Sequence, residues 1–329
     1  MKENFNLENA KRLLYIENLL KSLMEKYNYQ YIKTPVLEDR ELVNYFINDD
    51  SEYPLKPNNQ IGAIKNYLRK EKTNKVLKYF QLGPVFESFD MIETNQAGID
   101  VIGSKNPSVD AEVISMAINL NKLLGLDNVI LKINTNGDNN HFRLLIEYLE
   151  AMEIEYVVDE QLFLEFNYYN DVVFEIVTDI DELEEQLVIG NGGRYNDLIG
   201  DMGYNETTGF GYNINIDNLL KTLNYDGFIL NDENGLDVYI KTFDLTTIPY
   251  VLNLSQILRM NGFNTEIDHM NNNEFVDSKF TIIVSEQDIK DGMLLIINNR
   301  TKEEEKIEDE YIINFLDEKV SGENEEHVH

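Results

Sequence analysis

Between residues 7 and 27, apolar side chains return every three or four positions: Leu7, Ala10, Leu13, Leu14, Leu20, Leu23, Met24 and Tyr27. That period predicts a helix with one buried stripe. The following YNYQYIKTPVLE drifts toward strand-like alternation until Pro35 interrupts it, which suits a sheet edge or an interface. IGAIKNYLRK (61–70) returns to the helical period. The stretch 79–103, YFQLGPVFESFDMIETNQAGIDVIG, reads as two strands joined by a polar loop at 90–95. Ser108 is placed to cap the next helix, with Asp110 and Glu112 in its first turn and Gly125 just past its end.

VILKIN (129–134) predicts a strand, residues 140–152 a helix, and IEYVV a short strand. YYNDVVFEIVT and EEQLVIGNG predict an antiparallel pair. GFGYNINI predicts a last strand, with Asp217 starting the helix DNLLKTL. Runs of strands with helices around them, without a regular β-α-β alternation, imply an α+β core built on an antiparallel sheet. The composition shifts near NYDGFILNDENG. We therefore expect a core over 1–224, a linker over 225–235 and a small mixed α/β module over 236–319. Residues 301–329 hold 11 acidic and 3 basic side chains, and the segment 320–329 is expected to be a disordered tail.

Charge narrows the partners. Sixty acidic residues against 28 basic give a formal charge of −32. Nucleic-acid affinity comes from Lys and Arg displacing counterions, so such a chain is poorly suited to bind tRNA. With no cysteine, disulfides and thiolate chemistry are excluded. The four histidines, His141, His269, His327 and His329, show no ligand spacing, and no metal is expected. There is no apolar run near 18 residues and no signal-peptide pattern, so we expect a cytoplasmic protein without a membrane partner. Neither a dinucleotide G-x-G-x-x-G nor a P-loop is present, and no cofactor is expected.

Three glycine-containing segments remain: QAGIDVIG (96–103), GNGGRYNDLIG (190–200) and GFGYNINIDNLL (209–220). Each alone is explained by close strand packing. In this order, and together with TPVLE (34–38), YFQLGPVFES and YYNDVVFE (168–175), they resemble histidyl-tRNA synthetase and its paralogues, a branch of the class II aminoacyl-tRNA synthetases. The resemblance runs to the C-terminal module, which is similar to that family's anticodon-binding domain. It implies a class II synthetase-like antiparallel sheet flanked by helices, and a dimer formed through TPVLE and the first helix. It places Gln96, Asp100, Tyr168, Tyr169, Arg194 and Tyr195 in a histidine pocket, with Asp100 one methylene shorter than the family's glutamate.

The departures concern ATP. Phosphate is held by arginine because the planar guanidinium makes bidentate, charge-assisted bonds. By the resemblance, the second-motif arginine falls at Glu87 and the third-motif arginine at Asn218. The L-R-P-E-x-T segment reads LKPNNQ (55–60), so its acid becomes Asn58, and another active-site arginine becomes Leu164. Only about thirty residues separate VILKIN from Tyr168, where the family carries a helical insertion domain. These differences imply a paralogue without catalytic residues or adenylate-forming activity: the regulatory subunit of ATP phosphoribosyltransferase. It would act in the first step of histidine biosynthesis, partnered with a short-form catalytic subunit and responsive to free histidine, as a homodimer within a hetero-oligomer. The alternatives are a divergent amino-acid-activating enzyme and a dimeric interaction scaffold without ligand.

Overall fold

The computed structural model describes residues 7–40, 43, 54–69, 75–86, 92–137, 139–164, 168–180, 186–201, 207–228, 235–269 and 276–325. The chain divides into two units, Met1–Ile229 and Leu230–His329. The division falls within the span read as a linker.

The first unit is built on an eight-stranded sheet. Its strands are β1 (Gln30–Tyr31), β2 (Leu77–Phe86), β3 (Glu93–Ile102), β4 (Val129–Thr135), β5 (Val157–Val158), β6 (Val172–Thr178), β7 (Val188–Arg194) and β8 (Gly209–Asn215). They lie in the order β1-β2-β3-β8-β7-β6-β4-β5. The six central strands pair antiparallel, as expected. The two-residue outer strands pair parallel with their neighbours. Pro35 lies just past the β1 edge.

Alternation gives this sheet two unlike faces. Ala97, Ile99, Val101, Phe174, Ile176, Phe210, Tyr212 and Ile214 point one way and form the main core. Helices α1 (Leu7–Lys26), α3 (Pro107–Leu123), α4 (Asn139–Ala151) and α6 (Ile216–Tyr225) supply the rest of that core. In α1 the buried stripe is Ile16, Leu20, Leu23 and Met24, while Leu7 and Leu14 are exposed. Leu14 is one residue out of phase with the 13, 16, 20, 23, 24, 27 run, so the buried stripe is narrower than the apolar pattern predicts.

The opposite face carries Gln81, Gly83, Gln96, Gly98, Asp100, Gly211 and Asn213, in register across β2, β3 and β8. Helix α2 (Gln60–Arg69) supplies Ile61, Ala63 and Ile64 to a second cluster there, with Tyr79, Tyr169, Val173 and Tyr195.

Two helix starts differ from expectation. Asn106, not Ser108, caps α3: its side chain accepts from the Ser108 N–H, with Pro107 in the first turn. Asn215, not Asp217, caps α6 by accepting from the Asn218 N–H. An N-cap side chain reaches forward two or three residues, so each true cap sits two positions before the residue chosen. Gly125 does follow α3, with φ +70°, where a side chain would be strained.

The second unit holds a five-stranded sheet in the order β10-β9-β11-β12-β13. Its strands are β9 (Leu236–Thr242), β10 (Thr265–Ile267), β11 (Ser278–Val284), β12 (Met293–Asn298) and β13 (Glu304–Glu308). The first three are mutually parallel and the last two antiparallel. This is the mixed module expected. Helices α7 (Ile248–Met260) and α9 (Ile312–Glu325) pack on it through Val251, Leu254, Leu258, Ile312 and Leu316. The disordered tail read over 320–329 is corrected in part: α9 continues to Glu325. Val320 packs on the module's core, so the helix extends past the acidic change in composition. Residues 326–329 lie outside the described residues.

Candidate functional site: a buried polar face on the central sheet

Asp100 stands at the centre of the polar face, 1% exposed. Tyr195, the residue after β7, donates its hydroxyl to Asp100 Oδ1 at 2.8 Å. Burial pushes the Asp100 carboxyl up to about 7, against the lowering effect of the Tyr195 hydrogen bond. Among the described residues this is the one hydrogen bond to that side chain, so the carboxyl keeps acceptor capacity for another donor. Tyr168 and Tyr169 lie alongside with ring centroids 4.6 Å apart. Burial raises the pKa of Tyr168, Tyr169 and Tyr195, so all three are neutral phenols. Gln96 lies on the same face as Asp100, opposite Gly83 and Asn215, and its Oε1 is buried without a hydrogen-bond partner.

The structure therefore brings together Asp100, Tyr168, Tyr169 and Tyr195, with Gln96 on the same face four residues along β3 and separated from Asp100 by Gly98 and the overlying Asn59. It does not bring Arg194 to them, and that expectation is corrected. Arg194 is the last residue of β7, and strand alternation sends it to the face opposite Tyr195. There it pairs with Asp110 on α3, with Nε 2.8 Å from Asp110 Oδ2 and Nη2 bonded to Oδ1. Its Nη1 and Nη2 also donate to the Ser104 and Asn106 carbonyls at 3.0 and 3.2 Å. Arg194 is 1% exposed, a buried clamp on the β3–α3 connection.

The positions read as lost arginines and acid have other duties. Asn58 is buried, donates to the Tyr168 hydroxyl at 3.1 Å and accepts from the Ile61 N–H at 3.4 Å. It ties the start of α2 to the tyrosine pair. Leu164 packs against the cluster under α2. Asn218 donates through Nδ2 to the Val188 carbonyl at 2.9 Å, joining α6 to β7. The neighbouring Asp217 holds Asn95 through its backbone and side-chain amides at 3.2 and 3.1 Å. Glu87 lies outside the described residues.

Sequence reasoning missed the residues that roof this face. LKPNNQ was read only for the family acid it lacks. Its Lys56, Asn59 and Gln60 are each 2% exposed or less. Gln60 accepts at Oε1 from Asn213 Nδ2 at 3.1 Å, which leaves its Nε2 buried and unpartnered beside Asp100 and Tyr195. A Cβ on Gly211 would meet Asp100 Oδ1 at 2.9 Å and Gln60 Nε2 at 3.0 Å. Glycine there is what lets the carboxyl and the amide lie against the strand. The alternation Gly209, Gly211, Asn213, Asn215 in GFGYNINI was the available signal: four small or polar residues on one strand face. Among the described residues, no group of three or more His, Cys, Asp or Glu could hold a metal ion.

No family model matches the chain. The histidine–tRNA ligase of Acholeplasma laidlawii (strain PG-8A) is 26% identical, over 94% of this chain and 96% of its own length. That alignment spans 402 positions against the 329 residues here, so the relative carries segments without a counterpart. The crystal structure of apo S. aureus histidyl-tRNA synthetase superposes with a TM-score of 0.84 at 28% identity, covering 96% of this chain and 98% of that one. A Bacillus halodurans structure described as an ATP phosphoribosyltransferase regulatory subunit/histidyl-tRNA synthetase superposes with a TM-score of 0.65 at 18% identity, covering 83% and 93%.

These relatives correct one expectation. Missing arginines had implied a chain that is not an enzyme, yet the similar curated proteins are named ligases and match nearly end to end. Substitutions inferred from motif spacing do not outweigh likeness on that scale. The described helices include none long and apolar enough to cross a membrane. The chain thus has the class II synthetase fold, a sheet with flanking helices, and is similar to histidyl-tRNA synthetases over almost its whole length.

Proposed function

We propose that this chain binds free histidine on the polar face of its central sheet and passes that binding to a short-form catalytic subunit of ATP phosphoribosyltransferase, as its regulatory partner. The observation that carries the ligand is the buried Asp100, held by Tyr195 and flanked by Gln60 and the paired tyrosines, with Gln96 further along the same strand face. A carboxyl with spare acceptor capacity in a desolvated site recognises an imidazole N–H, and neutral phenols and amides complete recognition without further charge. Supporting the partner are the net charge of −32, which disfavours tRNA, and the likeness to the Bacillus halodurans structure described as a regulatory subunit. Feedback follows if histidine prefers one arrangement of the complex, since the shift is set by the affinity ratio between arrangements. Exposed Tyr31 and Leu37, at and beyond β1, fit the family's two-fold interface and support a homodimer inside that complex.

A second reading is favoured by the ligase relatives: the same histidine site serves amino-acid activation. Two measurements separate them. Co-expression with a short catalytic subunit, followed by assay of phosphoribosyl-ATP formation with and without histidine, tests the first. A catalytic subunit equally active alone, or a complex indifferent to histidine, defeats it. Histidine-dependent ATP–pyrophosphate exchange supports the second. Titration calorimetry with L-histidine tests the site common to both.

A further inference from the structure

The segment Lys56–Gln60 lays three polar side chains across three neighbouring strands, each over a glycine. Lys56 Nζ lies 4.0 Å from where a Cβ on Gly83 of β2 would stand. Asn59 covers Gly98 of β3, whose Cβ would fall 2.2 Å from Asn59 Cβ. Gln60 lies against Gly211 of β8. Register keeps all three glycines on the polar face.

The electrostatics of the first two are one-sided. Lys56 is 2% exposed, and among the described residues its ammonium makes one hydrogen bond, to Asn59 Oδ1 at 3.0 Å. That bond turns Asn59 Nδ2 the other way, where it is buried without an acceptor. Glu38 is the acid whose charge acts on Lys56, but without a hydrogen bond to it: its Oε2 is bonded to Lys65 and its Oε1 is buried without a partner. Burial lowers the Lys56 pKa, and the Glu38 charge opposes that shift only in part. A buried cation with a single neutral acceptor and an adjacent buried amide donor with none sit beside the start of the ten-residue helix α2, whose dipole is positive at that end.

We propose that Lys56 and Asn59 form an oxyanion subsite that takes the carboxylate of the bound amino acid. The proposal rests on the histidine reading above and adds a residue to it: Lys56 supplies a positive charge on the opposite side of the Gly98 strand from β8. The ligand is thereby read at two ends, imidazole at Asp100 and carboxylate at Lys56. A phosphoryl group offers the same acceptor chemistry, so the test has an arm for it.

The experiment titrates the full chain with L-histidine, with histamine (which lacks the carboxylate), and with inorganic pyrophosphate, in wild type, Lys56→Met, Lys56→Arg and Asn59→Asp. Wild type is expected to bind histidine at least tenfold more tightly than histamine. Lys56→Met should bring histidine down to the histamine level while leaving histamine unchanged, and Lys56→Arg should restore most of the difference. Asn59→Asp gives Lys56 an internal counter-ion; it should raise the melting temperature and abolish the preference, so it serves even if Lys56→Met fails to fold. Pyrophosphate binding that depends on Lys56, with histidine unaffected, would keep the oxyanion site and assign it to phosphoryl groups. Equal losses of histidine and histamine, or no change in any variant, would overturn the proposal. A wild type that binds pyrophosphate through Lys56 but neither histidine nor histamine would remove the histidine reading alone; one that binds none of the three would remove both.

Discussion

Tyr195 and Asp100 are joined by a 2.8 Å hydrogen bond between two side chains that are both essentially excluded from water. The phenol holds the carboxyl in place and opposes the effect of burial on its pKa. Tyr195→Phe should therefore raise the Asp100 pKa above its wild-type value and weaken histidine binding about tenfold, the usual scale for one buried hydrogen bond to an ionisable group. Calorimetry across pH reads both effects; unchanged affinity at every pH would detach Tyr195 from the site.

Asp100 also makes stability depend on pH. Its carboxyl titrates near 3.8 when unfolded and at about 7 when folded. Between those values the folded state holds a proton that the unfolded chain has lost, so stability falls as pH rises through that window and levels off above it. Asp100→Asn should flatten this slope, and the difference should amount to a few kcal/mol. Denaturant unfolding of both proteins at pH 5 and pH 8 measures it. A wild type that gains stability relative to the variant over that interval would refute the assignment.

Arg194 and Asp110 form the other buried pair, on the core side of β7, and His141 Nε2 shares Asp110 Oδ2 at 2.8 Å. Asp110→Ala leaves the guanidinium buried without its counter-ion and should cost about 3–5 kcal/mol. Because Arg194 points away from Asp100, the protein that remains folded should bind histidine as before. Equilibrium unfolding and calorimetry on the same sample separate the two effects.

Two glycines distinguish scaffold from site. A Cβ on Gly192 would stand 2.1 Å from the Gly211 carbonyl oxygen, where only backbone movement makes room. Gly192→Ala should lower the melting temperature sharply. A Cβ on Gly211 would press instead on the Asp100 carboxyl, the Gln60 amide and the Tyr195 ring at 2.9–3.1 Å. Gly211→Ala should keep most of the stability and lose most of the histidine affinity. The reverse ranking, by thermal shift and titration, would contradict this division.

The strands and long helices were legible because their apolar residues repeat with a clean period. The sheet's inner face was legible in part: Asp100 and Tyr195 stand out in QAGIDVIG and GGRY. Arg194 falls outside the site because the resemblance assigns it and Tyr195 to one pocket, whereas on a strand neighbouring residues face opposite ways. Lys56, Asn59 and Gln60 were passed over because LKPNNQ has no period of its own. Its side chains acquire meaning from glycines 27 to 151 residues further along, and no local pattern carries that information. The caps at Asn106 and Asn215 were missed by two residues, since Ser108 and Asp217 have similar chemistry and only backbone geometry decides between them.

The outermost strand of the second unit, Glu304–Glu308, pairs along one side with β12, and Glu304, Glu305 and Glu308 project from it into water. A strand edge with free backbone groups invites another strand to add. Here a second molecule approaching side by side would bring its glutamates against these, and Lys306, with Lys319 beside Glu305, offsets only part of that repulsion. Mutual repulsion thus guards the module against polymerising through its own border near neutral pH. Strong acid, by discharging the guard, would make the same border sticky.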